Sequence, residues 1–271
     1  RRLAAAPDAA VLFIREADRW FQLAYVDADV RAMLDGILAA APVWDADPDL
    51  GARFAFFADL HDHPNDTIRL LALAEISRAP YAQIRSMTPR LSRAAIARVL
   101  RDPKWVEWAP IHILFLGLSD DPGDHDFVRR MTKLAATRGI RNNTAAWATA
   151  LVEIDGVAGL DWLRETYFED PDRTVEELRE IATAFDVLGR GGDPELRPAL
   201  AAALRGLVQD RPELAADAAK QLATLGDWSQ VETFETLLGS DEISSPAAFV
   251  IANYLRLAEA ARASPDPDRL N

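Results

Sequence analysis

Cysteine is absent from the 271 residues, which excludes disulfides, cysteine nucleophiles and thiolate-bound metal while leaving the compartment open. Long apolar runs are absent too. The longest, APIHILFLGL, is interrupted by His112 and reaches about half the roughly 20 residues a membrane helix needs. It reads as a buried core helix, and no transmembrane segment is expected. Positive charge is in short supply: 43 acidic residues against 30 basic ones give a formal net charge of −13. Such a surface repels phosphate backbones, so no nucleic-acid partner is expected. The nearest thing to a basic face, Arg85, Arg90, Arg93, Arg98 and Arg101, reads as a solvated helix edge. No Gly-x-Ser-x-Gly elbow and no phosphate loop occurs. Gly189, Gly191 and Gly192 close a helix instead of joining strand to helix. The opening RRLAAAPDAAVLFI is not read as a signal peptide, because Asp8 interrupts it and no cleavage-type segment follows.

What is present is apolar and periodic. Hydrophobic residues make up 49% of the chain, enough for a sizeable core. Residues 10–26 differ from all that follows. AVLFI and RWFQLAYV, separated by the polar READ, carry β-branched and aromatic residues in strand-like order and predict a β-hairpin. A lone hairpin is marginal, so this one should pack on helices or belong to a larger sheet. From Asp27 the pattern becomes helical, with Asp27 as a cap and Pro42 as a stop. Arg53–Pro80 then reads as two helices around the turn HDHPND. Phe54, Phe57 and Leu60 form the stripe of the first helix, and Ile68, Leu71, Ala72 and Ile76 that of the second. Neither helix can bury its face alone, so helix pairs must stack on helix pairs. Two short helices are expected around Thr88–Pro89, with Ser92 capping the second.

The same design recurs. LHDHPNDTIRLLALAEI, LSDDPGDHDFVRRMTKLA, YFEDPDRTVEELREIATAF and LVQDRPELAADAAKQLATLG each join an apolar helix end to a second helix through a polar turn with proline. The turn prolines Pro64, Pro122, Pro171 and Pro212 are 58, 49 and 41 residues apart. The last two intervals approach the roughly 40 to 47 residues of HEAT and armadillo units.

NDTIRLLALAEI and GDHDFVRRMTKLA resemble the second helix of HEAT repeats, in which an Asp of the turn and a following Arg recur. Asp66 with Arg69 and Asp126 with Arg129 stand in those places. Asp172 with Arg173 does not keep the spacing, and the Pro212 repeat has no such Arg. Over residues 10–235 the chain is also similar to uncharacterised bacterial HEAT-like proteins, in which HP, APY and LLGL-type elements follow an N-terminal β-region. That resemblance implies an α-solenoid and an extracytoplasmic or periplasmic location, a cytoplasmic one staying open. It supplies no catalytic residues. A likeness to HEAT-like DNA glycosylases ranks last, since those need a basic concave face.

Two clusters invite a function. In DLHDHPND, His61 and His63 lie among Asp59, Asp62 and Asp66, and His125 sits in a second such turn. Imidazole and carboxylate donors suit zinc, copper or nickel. The same turn recurs without histidine elsewhere, which favours helix capping as the reason for its acids. Trp105 and Trp108, three apart, could line a helix face with His112 and anchor a partner, as tryptophan does at binding hot spots. Tryptophans also weld helix pairs together, which is the commoner use.

The sequence therefore predicts a mainly α protein. A β element over residues 1–26 precedes a HEAT-like α-α superhelix over 27–263 and a polar tail over 264–271. Its expected role is a non-enzymatic protein–protein interaction scaffold with a protein partner and no cofactor. The acidic surface would favour a basic partner and make association salt-sensitive. The alternative is a metal-binding accessory protein or hydrolase using His61, His63 and His125.

Overall fold

A computed structural model describes residues 8–87, 93–239 and 243–263. The chain is mostly helical, with an N-terminal two-stranded antiparallel hairpin. It divides into two compact units, Arg1–Asp102 and Pro103–Asn271. The expected Thr88–Pro89 turn, the Ser92 cap and the tail fall outside the described residues.

In the first unit, β1 (Ala10–Glu16) pairs with β2 (Arg19–Val26). The strand reaches further into READ than the polar residues suggest, and Ala17–Asp18 alone turn the chain. Ala17 takes φ 51°, a left-handed conformation that glycine adopts more cheaply. Arg15 steadies the turn by donating from Nε to the Ala17 carbonyl at 3.0 Å. Leu23 has no partner across the ladder, because Leu12 pairs with Ala24 and Phe13 with Gln22. It forms a β-bulge.

Four helices and part of a fifth follow: α1 (Ala28–Asp45), α2 (Gly51–Ala58), α3 (Asp66–Ile76), α4 (Tyr81–Met87) and α5 (Arg93–Val99). Helix α1 runs through Pro42, where the sequence predicted its end. Proline frees the carbonyl four residues back, here that of Leu38. Leu38 and Pro42 both lie on the exposed side, so water can satisfy it. The core gathers Val30, Met33 and Ile68 with Val26, Leu34, Ile37, Phe56 and Leu60 around them. Trp44, Phe56 and Phe57 form a trio with centroids 5.3 to 6.0 Å apart, in which Phe56 meets both others edge-on. Asp27 caps α1 by accepting from Val30 N–H at 2.9 Å, and Asn65 caps α3 by accepting from Thr67 N–H at 3.0 Å. The Asp66–Arg69 pair of the HEAT-like pattern is formed.

The second unit opens with a 3-10 turn, Pro103–Trp108. Then come α6 (Ala109–Gly117), α7 (Pro122–Arg138), α8 (Thr144–Asp155) and α9 (Val157–Leu163), which widens into a π-helical turn over Arg164–Phe168. Helices α10 (Val175–Gly191), α11 (Arg197–Asp210), α12 (Ala215–Leu225), α13 (Val231–Leu238) and α14 (Ser245–Ala263) complete it. Alternate helices α6, α8, α10, α12 and α14 touch in succession to form a row, and α7, α11 and α13 pack beside it. Helix α6 is buried on nearly all sides, as its apolar run predicts. Helix α10 buries Leu178, Ile181, Ala182, Phe185, Leu188 and Gly189 at three- and four-residue spacing. A capping box between Thr174 and Glu177 starts it.

Side-chain bonds join elements across this unit at several sequence separations. Several of those tying a helix to its neighbour span 22 to 27 residues, as in Arg129–Asp155, Arg205–Asp227 and Tyr254–Asp227, and Thr132–Trp147 spans 15. Those reaching further span 35 to 39 residues. Arg173 donates to the Ala136 carbonyl at 3.2 Å, Arg211 to the Arg173 carbonyl at 3.1 Å and Gln221 to the Ala182 carbonyl at 2.7 Å. Ala145 N–H meets Glu180, and Arg179 pairs with Asp217.

Candidate functional site

Trp105 and His112 lie in the core and not on a surface, which corrects the partner-binding expectation for them. Trp105 is 4% exposed and His112 fully buried. The physical reason is Pro110, which starts α6 at its own first turn. Trp105 therefore belongs to a 3-10 turn, and the three residues never share one α-helical face. His112 donates from Nδ1 to the Trp108 carbonyl at 2.7 Å and meets Phe115 edge-on at 5.9 Å. Trp108 is half-buried.

The other histidines are likewise occupied by nearby backbone. His61 is buried and donates from Nδ1 to the Ala58 carbonyl at 2.8 Å. His63 Nδ1 accepts from Asn65 N–H at 3.1 Å. His125 donates from Nε2 to the Ser119 carbonyl. These bonds finish helix ends and turns. Among the described residues, no group of three or more His, Asp or Glu is placed to hold a metal ion. Asp62 pairs with Arg98, and Asp66 with Arg69.

Exposed aromatic surface lies elsewhere, on the hairpin. Cross-strand partners place Val11, Phe13 and Arg15 on one face with Tyr25, Gln22 and Trp20. Leu12, Ile14 and Glu16 share the other with Ala24, Phe21 and Arg19. Both faces are thus apolar, as in a strand pair covered from two sides. Yet Trp20 is 65% exposed, Leu23 66% and Phe13 55%, with Ile14, Phe21 and Tyr25 between 42 and 46%. Arg15 lies over the Trp20 ring, 6.0 Å from its centroid. Among the described residues, the base of the hairpin is held down: Val26 packs against the core cluster, and Asp27 accepts from Asn65 Nδ2 at 2.8 Å.

The sequence reading predicted this hairpin but did not single out its aromatics. The available signal was that alternation brings apolar residues to both faces, where a strand half in water would carry polar ones on one.

The second unit offers a shallow groove between the start of α11 and the α12–α13 loop, lined by Arg197, Pro198, Leu225 and Trp228. Arg197 is fastened there to the Thr224 carbonyl at 3.2 Å. Asp227 on the same wall is consumed by Arg205 and Ser229. Burial would raise its carboxyl, but those partners outweigh it and hold it below the usual carboxylate range.

No family model, no curated protein and no solved structure matches the chain.

Proposed function

We propose that this protein is a non-enzymatic interaction protein whose helical repeats carry the N-terminal hairpin as a docking element for a protein partner. The observation that carries this reading is the apolar hairpin, with exposed apolar side chains on both faces and its base packed on the core. Exposed patches of several hundred Å² on soluble proteins mark interaction sites, and tryptophan, tyrosine and phenylalanine dominate such contacts. The separations of 35 to 39 residues between bonded residues support a HEAT-like solenoid arrangement for the second unit. Function is argued from the surface and not from that likeness.

Affinity capture from the native source tests the reading. A Trp20→Ser/Phe21→Ser variant is compared with the unaltered chain at low and high salt. The expected result is a stoichiometric protein lost with the variant and retained at high salt, since apolar contact is insensitive to screening. An identical set of captured proteins for both chains overturns it. Capture abolished by salt alone would return the contact to the acidic surface.

A further inference from the structure

We propose that the hairpin's docking partner is a second copy of this chain, paired antiparallel along β1 about a twofold axis at Phe13. The proposal rests on the docking reading above and gives it an occupant.

Among the described residues, strand β1 has an unpaired edge suited to pairing. It runs for seven residues without proline or lysine, and its partner on one side is β2. The opposite edge of the sheet belongs to β2, which is interrupted by the Leu23 bulge. A bulge blunts an edge, whereas a regular apolar strand is a template for further pairing. The sequence VLFI is close to self-complementary when run antiparallel against itself. An axis at Phe13 sets Phe13 opposite its own copy, Leu12 opposite Ile14 and Val11 opposite the aliphatic stem of Arg15. Apolar cross-strand pairs of this kind stabilise sheets, and identical surfaces meeting about a twofold form a closed dimer. A two-stranded hairpin gains most from such an addition, because independent stability begins at three or more strands.

Charge favours the same place. Two chains of net charge −13 repel over most of their surface. The stretch from Ala10 to Val26 carries Arg15, Glu16, Asp18 and Arg19, which sum to zero. Here two copies approach without that penalty.

Area sets the strength. Aromatic side chains bring about 150–250 Å² each. At the observed exposures, Phe13 and Ile14 on the pairing strand leave on the order of 200 Å² uncovered, the β2 aromatics lying a strand away from the seam. Stable dimers bury roughly 800 Å² per partner, and weaker, transient ones less. The dimer is therefore expected to dissociate on dilution through the micromolar range.

The absence of cysteine makes the test direct. Phe13→Cys puts a thiol on the axis, where opposed Cβ atoms are about 4.5–5.5 Å apart, near enough to link with small adjustment. Ala10→Cys puts its two thiols about 20 Å apart, six residues at about 3.3 Å each. Under mild oxidation the expected result is a covalent dimer with Phe13→Cys and none with Ala10→Cys. Sedimentation of the unaltered chain should show a concentration-dependent dimer that Phe13→Lys converts to monomer with unchanged helical circular dichroism. A monomer up to about 100 µM, or a dimer indifferent to Phe13→Lys, overturns the proposal. So does linkage through Ala10→Cys, which would mean parallel pairing. If the chain stays monomeric while capture of another protein still depends on Trp20 and Phe21, self-pairing fails and the docking reading stands. If both are negative, both fall.

Discussion

Asn65 donates from Nδ2 to the Asp27 carboxylate at 2.8 Å, so the caps of α1 and α3, 38 residues apart, hold one another. Asp27 is also the residue that follows β2. This bond and the packing of partly buried Val26 against the core help fix the hairpin to the helices.

The Asp27 carboxyl is held below its ordinary value of 3.8, by the Val30 amide first and then by Asn65. A depressed carboxyl contributes stability that is present above its unfolded value and lost as pH falls through the folded one. Below about pH 4 the hairpin base should therefore loosen before the helices unfold. Trp20 and Trp44 fluorescence followed from pH 6 to 2 checks this. Asp27→Asn, which cannot titrate, should remove the early phase.

Arg173 concentrates contacts among α7, the π-helical turn and the start of α10. It donates to the carbonyls of Ala136 and Thr166, pairs with Asp170 and Glu177, and lies over the Tyr167 ring at 4.7 Å. Its side chain is 15% exposed and that of Glu177 12%, so water cannot replace what is lost. Arg173→Ala should cost about 2–4 kcal/mol, because a mostly buried carboxylate is left without its cation. Chemical denaturation of the purified chain measures it. Arg173→Lys should recover only part, since an ammonium cannot span both carbonyls and both carboxylates.

Gly117 on α6 faces Ala150 on α8 so closely that an added Cβ would lie 2.6 Å from the Ala150 Cα. Alanine would ordinarily favour the helix by up to about 1 kcal/mol. Here backbone would have to move, and overpacking of this kind costs about 1–3 kcal/mol. Gly117→Ala should therefore destabilise. Ala150→Gly removes the opposing Cβ but not the Cα, so the double variant should recover part of the loss. A double-mutant cycle reads the coupling.

Burial pushes the Tyr254 hydroxyl from 10.0 up to about 12, and the hydroxyl donates to the Asp227 carbonyl at 2.7 Å. A raised value means stability fully present below pH 10 and lost as pH climbs toward 12, because the unfolded tyrosine ionises first. Denaturation midpoints measured from pH 9 to 12 should fall. Tyr254→Phe should start lower, through the lost bond, and fall less steeply over that window.

Much of this architecture is written in the sequence. Strand alternation located the hairpin, and three- and four-residue apolar spacing located the helix pairs around Pro64, Pro122, Pro171 and Pro212. The prolines gave uneven intervals because they do not mark equivalent turns. Pro171 and Pro212 precede α10 and α12 of the continuous row, while Pro122 opens α7, which packs beside it. A proline announces a turn, but which row the next helix joins depends on packing between distant residues. Trp105 and His112 misled for a similar reason: residue type and spacing do not reveal burial when a 3-10 turn replaces the expected helix. Trp20 and Phe13 passed unnoticed because exposure depends on what does not pack against them.

Amide hydrogen exchange over residues 10–26, followed as protein concentration rises, tests most directly whether the hairpin is a docking element. The account predicts fast exchange in β1 at high dilution, slowing markedly with concentration or with captured partner, while α6 and α10 stay protected throughout. Hairpin amides already as protected as those helices at the lowest concentration would contradict it, since the strands would then be covered within the single chain.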